Sequence, residues 1–220
     1  MLLTLAYSRG MPVDVFAEVP DEELRLAGRR RKFSRGEVVF HEGDPGDSVH
    51  RVTSGRFAAR ITTPLGDVAT FAVHGPGEVF GLLAVLHPEA RRTATVAALE
   101  PAQTLAIAKS AFVRLKAVHP PVASAVEQLL LEMLVASSGR LVEALYTPVH
   151  LRVRARLRDL ARLYGDGGPD PVTIPLSQED LAGLAGATRE TVNRVLQDEQ
   201  ARGAVALARR RITIMPSELG

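Results

Sequence analysis

Ser177-Gln178-Glu179-Asp180-Leu181-Ala182-Gly183-Leu184-Ala185-Gly186-Ala187-Thr188-Arg189-Glu190-Thr191-Val192-Asn193-Arg194-Val195-Leu196 is the stretch from which the rest of the chain can be read. Ser177 with Asp180 three residues on is a capping-box start, in which hydroxyl and carboxylate satisfy backbone N–H groups of the first turn. Leu181, Leu184 and Ala185 mark the inner face of a short helix. Gly186-Ala187 supplies a tight turn and Thr188 caps a second helix, whose Val192, Val195 and Leu196 recur at the i, i+3, i+4 spacing of a buried stripe. Two short helices joined in this way pack crosswise as a helix-turn-helix.

The buried stripe leaves Arg189, Glu190, Asn193 and Arg194 on the outer face. An arginine can donate two hydrogen bonds to guanine O6 and N7, and a glutamate can accept from cytosine N4, each good pair giving about 1–3 kcal/mol of discrimination. The alternative is a solvated face on which Glu190 and Arg194 pair with each other. After Gly203, residues 204–207 and 211–214 read as two strands around Ala208-Arg209-Arg210, a hairpin wing presenting cations to a phosphate backbone.

Working back towards the N-terminus, Gly165-Asp166-Gly167-Gly168-Pro169 is a loop of helix breakers that ends a helix over 149–164. Thr147-Pro148 reads as an N-cap followed by proline at the first helical position, so a junction lies near Tyr146. Residues 122–145 hold no proline and one glycine, which predicts a long helix. Val126, Leu130, Leu134, Ser137 and Leu141 step along it by four and three, as a coiled-coil seam does, with Leu129 and Met133 widening the stripe. A helix packed on its own barrel would carry the same stripe. Before Pro120-Pro121, residues 33–109 are short apolar or alternating runs between glycine and proline turns, the texture of a barrel or jelly roll. Arg29-Arg30-Arg31-Lys32 reads as the solvated end of an amphipathic helix starting at Asp21.

Composition narrows the function classes. The 220 residues, 46% of them hydrophobic, suffice for two modest cores. Leu129-Leu130-Leu131 is followed at once by Glu132, and Met1-Leu2-Leu3 lacks a basic region, so a cytoplasmic protein without a membrane partner is expected. Zero cysteines exclude disulfides, thiolate metal sites and a cysteine nucleophile. His41, His50, His74 and His87 are dispersed without metal-ligand spacing, and neither a P-loop nor a catalytic constellation can be placed, so no metal and no enzyme activity are expected. The net charge of +2 resides in the last third, from Pro148 onward, where eleven arginines face nine acids.

Thr188-Arg189-Glu190-Thr191-Val192-Asn193-Arg194-Val195-Leu196 resembles the recognition helix of the cyclic-AMP receptor protein (CRP/FNR) family of bacterial transcription regulators. Residues 36–47, Gly-Glu-Val-Val-Phe-His-Glu-Gly-Asp-Pro-Gly-Asp, resemble the family's first barrel turns, and Phe80-Gly81-Leu82-Leu83-Ala84 with Arg92-Thr93-Ala94 resembles its phosphate-binding cassette. The resemblance implies an α+β chain in three parts: an effector-sensing β-roll or jelly-roll domain, cyclic-nucleotide-binding-like, over 1–120; a dimerisation helix over 121–146; and a winged helix-turn-helix DNA-binding domain over 147–220. It implies a homodimer reading double-stranded DNA at a palindromic site, with half-sites about 34 Å apart, and RNA polymerase as a further partner. Arg189 and Arg194 would then contact guanines and Glu190 a cytosine, with Asn193 beside them and Ser177, Gln178, Thr188 and Thr191 near phosphates.

For the effector, the resemblance implies a ligand phosphate at Gly81, with Leu83 in the same short helix, Arg92 as countercharge and Thr93 as hydroxyl donor. Ser137 and Ser138 fall where the family's cyclic-AMP receptors place hydroxyls against adenine. Leu82 replaces a glutamate that accepts from the ribose hydroxyl, and Met133 replaces the arginine facing that glutamate, so the polar pair is exchanged as a unit. Cyclic AMP held more weakly, another small effector, or none are the alternatives. An effector-independent regulator, or a cyclic-nucleotide-binding regulatory subunit acting on a protein partner, would be built from the same parts.

Overall fold

A computed structural model of the chain describes residues 13–63, 68–87, 91–165, 168, 170–209 and 211–215. Residues 64–67 of the turn expected over 63–67, most of the breaker loop (166, 167 and 169) and Arg210 of the wing lie outside them. The chain divides into two compact units, residues 1–58 with 73–143 and residues 59–72 with 144–220.

The strand texture of the N-terminal half forms two four-stranded sheets. Helix α1 (Asp21–Ala27) leads into β1 (Gly28–Phe33), β2 (Val38–Phe40), β3 (Ser48–Ser54), β4 (Phe57–Thr62), β5 (Val68–His74), β6 (Val79–Phe80), β7 (Thr95–Ala98) and β8 (Ala102–Ala108). The sheet orders are β1-β8-β3-β6 and β2-β7-β4-β5, a double-sheet β-roll. Arg29-Arg30-Arg31-Lys32 is not a helix end. These residues pair with Ala106, Leu105, Thr104 and Gln103 on the antiparallel strand β8. All four side chains are exposed on this terminal strand, so backbone pairing is gained without burying a charge.

Two helices follow β8. The ten-residue α3 (Lys109–Val118) was not expected, because only Phe112 and Leu115 of it are buried, too few to show a helical period. Helix α4 (Pro120–Tyr146) starts two residues earlier than the pattern suggests, with both prolines in its first turn, where an N–H has no intrahelical partner to lose. Its stripe is shared between the two readings. Val122 and Val126 join Phe16, Val49, Ile107, Phe112 and Leu115 in the roll's core, with Leu129 and Leu130 packed against it. From Leu131 on, Leu131, Leu134, Val135, Leu141, Val142 and Leu145 are exposed.

The second unit holds α5 (Val149–Tyr164), β9 (Val172–Ile174), α6 (Gln178–Ala185), α7 (Arg189–Ala201), β10 (Val205–Ala208) and β11 (Arg211–Ile214). Its sheet runs β10-β11-β9, and the three-residue β9 is too short to read between breakers. Pro148, not Thr147, is the N-cap of α5, and it has no side-chain cap. Leu157, Ile174, Leu176, Leu181, Val192, Leu196, Ile212 and Ile214 form a fully buried core. On α6, Ala182 is buried where Leu184 was expected, and Leu184 is half-buried. Among the described residues no helix is long and apolar enough to cross a membrane.

Within the roll, Phe80 gathers an aromatic cluster. Its ring centroid lies 5.1 Å from His50, 5.2 Å from Phe57 and 5.9 Å from Phe40. The ring nitrogens of the buried His50 lie 3.1 Å from Thr104 Oγ1 and 3.2 Å from Ser48 Oγ. Burial first, then the charges of Arg92 and Arg31, pushes His50 down to about 3, so the folded state holds it neutral.

Two outcomes are expected. Leu157→Ala should cost the second unit about 2–5 kcal/mol in chemical denaturation, because it empties a fully buried site. His50 contributes full stability above the unfolded value of 6.5, and this is lost as pH falls, because only the unfolded ring takes up the proton there. Between pH 6.5 and 5 wild type should lose about 2 kcal/mol more than His50→Gln. Equal pH slopes would contradict a neutral His50.

Candidate functional site

The helix-turn-helix begins as its residue types require. Ser177 Oγ accepts from the Asp180 backbone N–H at 3.1 Å, and Asp180 Oδ2 accepts from the Ser177 backbone N–H, also at 3.1 Å. Although burial opposes its charge, the Ser177 hydroxyl and the Arg60 guanidinium hold the Asp180 carboxyl below the usual carboxylate range. Arg60 and Thr70, in the 59–72 segment of the same unit, both donate to Asp180 Oδ1. Gly186 turns the chain at φ 59°, a left-handed conformation that suits glycine, and Thr188 Oγ1 accepts from the Thr191 N–H at 3.3 Å to start α7.

Helix α7 has two faces of opposite character. Val192, Val195 and Leu196 are buried, whereas Arg189, Glu190, Asn193 and Arg194 are all exposed. Glu190 and Arg194 do not pair with each other among the described residues. Hydrogen bonds from its own backbone N–H and from the Thr188 hydroxyl hold the Glu190 carboxyl below the usual carboxylate range, so it is an ionised acceptor. Beside this face lies a groove of about 380 Å³ whose lining includes Ser177, Gln178, Arg189, Arg209 and Arg211. Two helix starts and the wing thus bring donors and cations to one surface. Thr188 is exposed and Thr191 half-buried at its edge.

The cassette is also assembled. Gly81, at φ 82°, is the N-cap of the five-residue helix α2 (Leu82–Leu86). A side chain there would put Cβ 2.6 Å from Arg92 Nη1. Arg92 is 3% exposed and donates from Nη1 to the Gly81 carbonyl at 3.1 Å. Its Nη2 reaches Asp47 Oδ1 at 2.9 Å and Ser48 Oγ at 3.2 Å, and its guanidinium lies 4.0 Å from the centre of the Phe40 ring. Partial burial opposes the charge of Asp47, but the Ser48 hydroxyl and Arg92 outweigh it and keep that carboxyl below the usual range.

The remaining cassette residues divide. Leu82 is 4% exposed and packs in the roll's core with Val79, Val85 and Val126, while Leu83 and Thr93 face outward. On α4, Met133 is 40% exposed, the Ser137 hydroxyl donates to the Met133 carbonyl at 2.8 Å, and Ser138 is exposed. The missing side chain at Gly81 leaves room for the Arg92 guanidinium, and that guanidinium brings the positive charge that suits an anionic group. Leu82 and Met133 offer no polar atom to a sugar hydroxyl. Asp47, Ser48 and Phe40, which hold Arg92 in place, were not singled out in the sequence. An acid in the turn run Gly43-Asp44-Pro45-Gly46-Asp47 was the available signal.

Comparison with known proteins agrees with both parts. Residues 30–119 match the cyclic nucleotide-binding domain and residues 151–217 the Crp-like helix-turn-helix domain. The chain is 32% identical over 188 residues to the CRP-like cAMP-activated global transcriptional regulator of Mycobacterium tuberculosis, covering 84% of each. It is 32% identical over 202 residues to the cyclic AMP receptor protein of Thermus thermophilus, covering 90% of each. Among solved structures, the c-di-GMP responsive global regulator CLP of Xanthomonas campestris shares the fold, with a TM-score of 0.74 and 21% identity over 88% of this chain and 96% of that one. With a roll that carries the cassette, a helix-turn-helix with a wing, and relatives of this identity along most of its length, the chain belongs to the CRP/FNR family of transcription regulators.

Proposed function

We propose that this regulator works as a cytoplasmic homodimer that reads a palindromic DNA site through Arg189, Glu190 and Arg194, with Asn193 beside them, and that it catalyses no reaction. The observation that carries the reading is the outer face of α7: four exposed polar side chains opposite a fully buried apolar stripe. Arg189 and Arg194 supply forked donors for guanine, and the ionised Glu190 an acceptor for cytosine N4. Ser177, Gln178, Thr188, Thr191 and the wing arginines Arg209 and Arg211 suit phosphates along the rim. Leu131, Leu134, Val135, Leu141, Val142 and Leu145 form an apolar stripe of the kind that pairs α4 with a second copy. RNA polymerase is proposed as a further partner.

For control, the reading favours a small anionic effector, cyclic AMP or another, whose negative group is received at Gly81 and Arg92. The M. tuberculosis and T. thermophilus relatives are named for cyclic AMP and the X. campestris regulator for c-di-GMP, so family membership leaves the ligand open. Without a partner for the ribose hydroxyl, cyclic AMP would lose a charged hydrogen bond of about 1.5–3 kcal/mol, on the order of ten- to a hundredfold in affinity. A second, effector-independent reading rests on Arg92, whose terminal nitrogens already have Gly81, Asp47 and Ser48 as acceptors.

Calorimetric titration with cyclic AMP, alone and with a palindromic duplex of TGTGA-like half-sites, tests cyclic AMP as the effector. An effector that raises DNA affinity must itself bind more tightly with DNA present. DNA binding with no nucleotide heat points to another effector or to effector-independent action. Leu82→Glu together with Met133→Arg should strengthen cyclic-AMP binding where the double variant melts as wild type does, and no gain in such a folded variant would mean that the pocket has another shape. Arg194→Ala should abolish discrimination at one guanine per half-site while sparing nonspecific binding. Equal weakening on every sequence would instead assign Arg194 to a phosphate.

A further inference from the structure

Two arginines of α5 take no part in the reading above, yet each is tied to the recognition helix or to the turn before it. Arg152, 8% exposed, donates from Nη2 to the carbonyl of Gly186 at 3.2 Å, the left-handed residue that turns α6 into α7. Arg154 donates from Nε to Glu199 Oε1 at 2.8 Å, and its Nη2 lies 2.7 Å from the same oxygen. Glu199 belongs to the last turns of α7 and is buried. The base-facing residues 189–194 therefore lie between the two attachment points.

The placement on α5 is as informative as the bonds. Val153, Leu157 and Leu160 form that helix's buried stripe. At 100° per residue Arg152 and Arg154 fall on opposite edges of the stripe, so α5 grips from both sides of its own contact face. Glu199 is equally pointed, because it follows Val195 by four residues on the inner face of α7, where an apolar side chain would pack. A buried ion pair is often no more stabilising than an apolar pair of the same volume, but it has one geometry and strongly penalises others. Its advantage here is orientation.

We propose that Arg152 and Arg154 are positioning residues that clamp α7 at both ends, fixing its rotation and tilt so that Arg189, Glu190 and Arg194 meet base edges in register. The clamp rests on the DNA-reading function proposed above. It also predicts that damage at Glu199, which lies on the buried face of α7 and not among its exposed side chains, degrades sequence choice ahead of affinity for DNA in general.

The test uses the full-length protein and the palindromic duplex that wild type enriches from a randomised pool, compared with a scrambled duplex at the same salt, with a thermal melt of each variant. Arg154→Met and Glu199→Gln should each lose about tenfold in affinity for the selected duplex, as one misplaced base contact would give, while staying within about twofold on the scrambled one. The exchange Arg154→Glu with Glu199→Arg should restore the ratio. Glu199→Gln, which keeps the shape of the side chain, decides the matter if Arg154→Met does not fold. Unchanged discrimination in a folded variant, equal losses on both duplexes, or an exchange that restores melting without restoring the ratio would each overturn the clamp. A wild type that enriches no duplex would overturn the DNA-reading function itself, and the clamp with it.

Discussion

Burial of Val192, Val195 and Leu196 leaves the outer side chains of α7 one direction in which to point. Each of the three contributes about 1.5–3 kcal/mol by leaving water, so turning the helix to hide Arg189 or Arg194 would forfeit several kcal/mol and bury charge besides. The second unit is organised around this constraint. The elements packed against α7 are α5, α6 and β10, and Leu157, Leu181 and Val205 are their buried side chains. The capping box at Ser177 and the left-handed Gly186 set where the two short helices begin and turn. Which polar side chains α7 presents outward is thus decided on the opposite side of the helix, by packing.

The first unit places its own charged group by the same logic with different materials. Phe80 closes the aromatic cluster, Gly81 follows immediately, and the absence of a side chain there leaves space for Arg92. Arg92 is buried but well supplied, with Phe40 under its guanidinium and Asp47, Ser48 and the Gly81 carbonyl as acceptors. Burial keeps the neighbouring His50 neutral, and the Arg92 cation, with which it shares the Ser48 hydroxyl, adds to that effect. Nη1 and Nη2 of Arg92 already have acceptors while its buried Nε has none, so the guanidinium is held in place and still keeps a donor for a ligand, and effector control and constitutive action both follow from the same geometry.

Legibility in the sequence followed signal length and period. The helix-turn-helix was readable because capping chemistry, turn glycine and apolar spacing coincide over twenty residues, and α5 was found with its bounds because breakers flank it. The long helix was readable as a helix, but one stripe could not reveal that Val122 and Val126 serve the roll while Leu134 and Leu141 remain exposed. Helix α3 and strand β9 escaped because each has too few buried residues to show a period. Arg29-Arg30-Arg31-Lys32 misled because a run of charges says nothing about backbone pairing, which here comes from β8. Gly81 and Arg92 were legible through family resemblance, whereas Asp47, and the attachment of Arg152 and Arg154 to Gly186 and Glu199, depend on partners 34 to 45 residues away in sequence.

The central claim is that this protein reads guanines in the major groove through the outer face of α7. Methylation interference on a duplex selected by the protein from a random pool tests it most directly, because N7-methylguanine blocks the acceptor that arginine uses. The account predicts interference at a small set of guanines in each half-site, repeated with two-fold symmetry about 34 Å away. Binding that tolerates methylation at every guanine would contradict it.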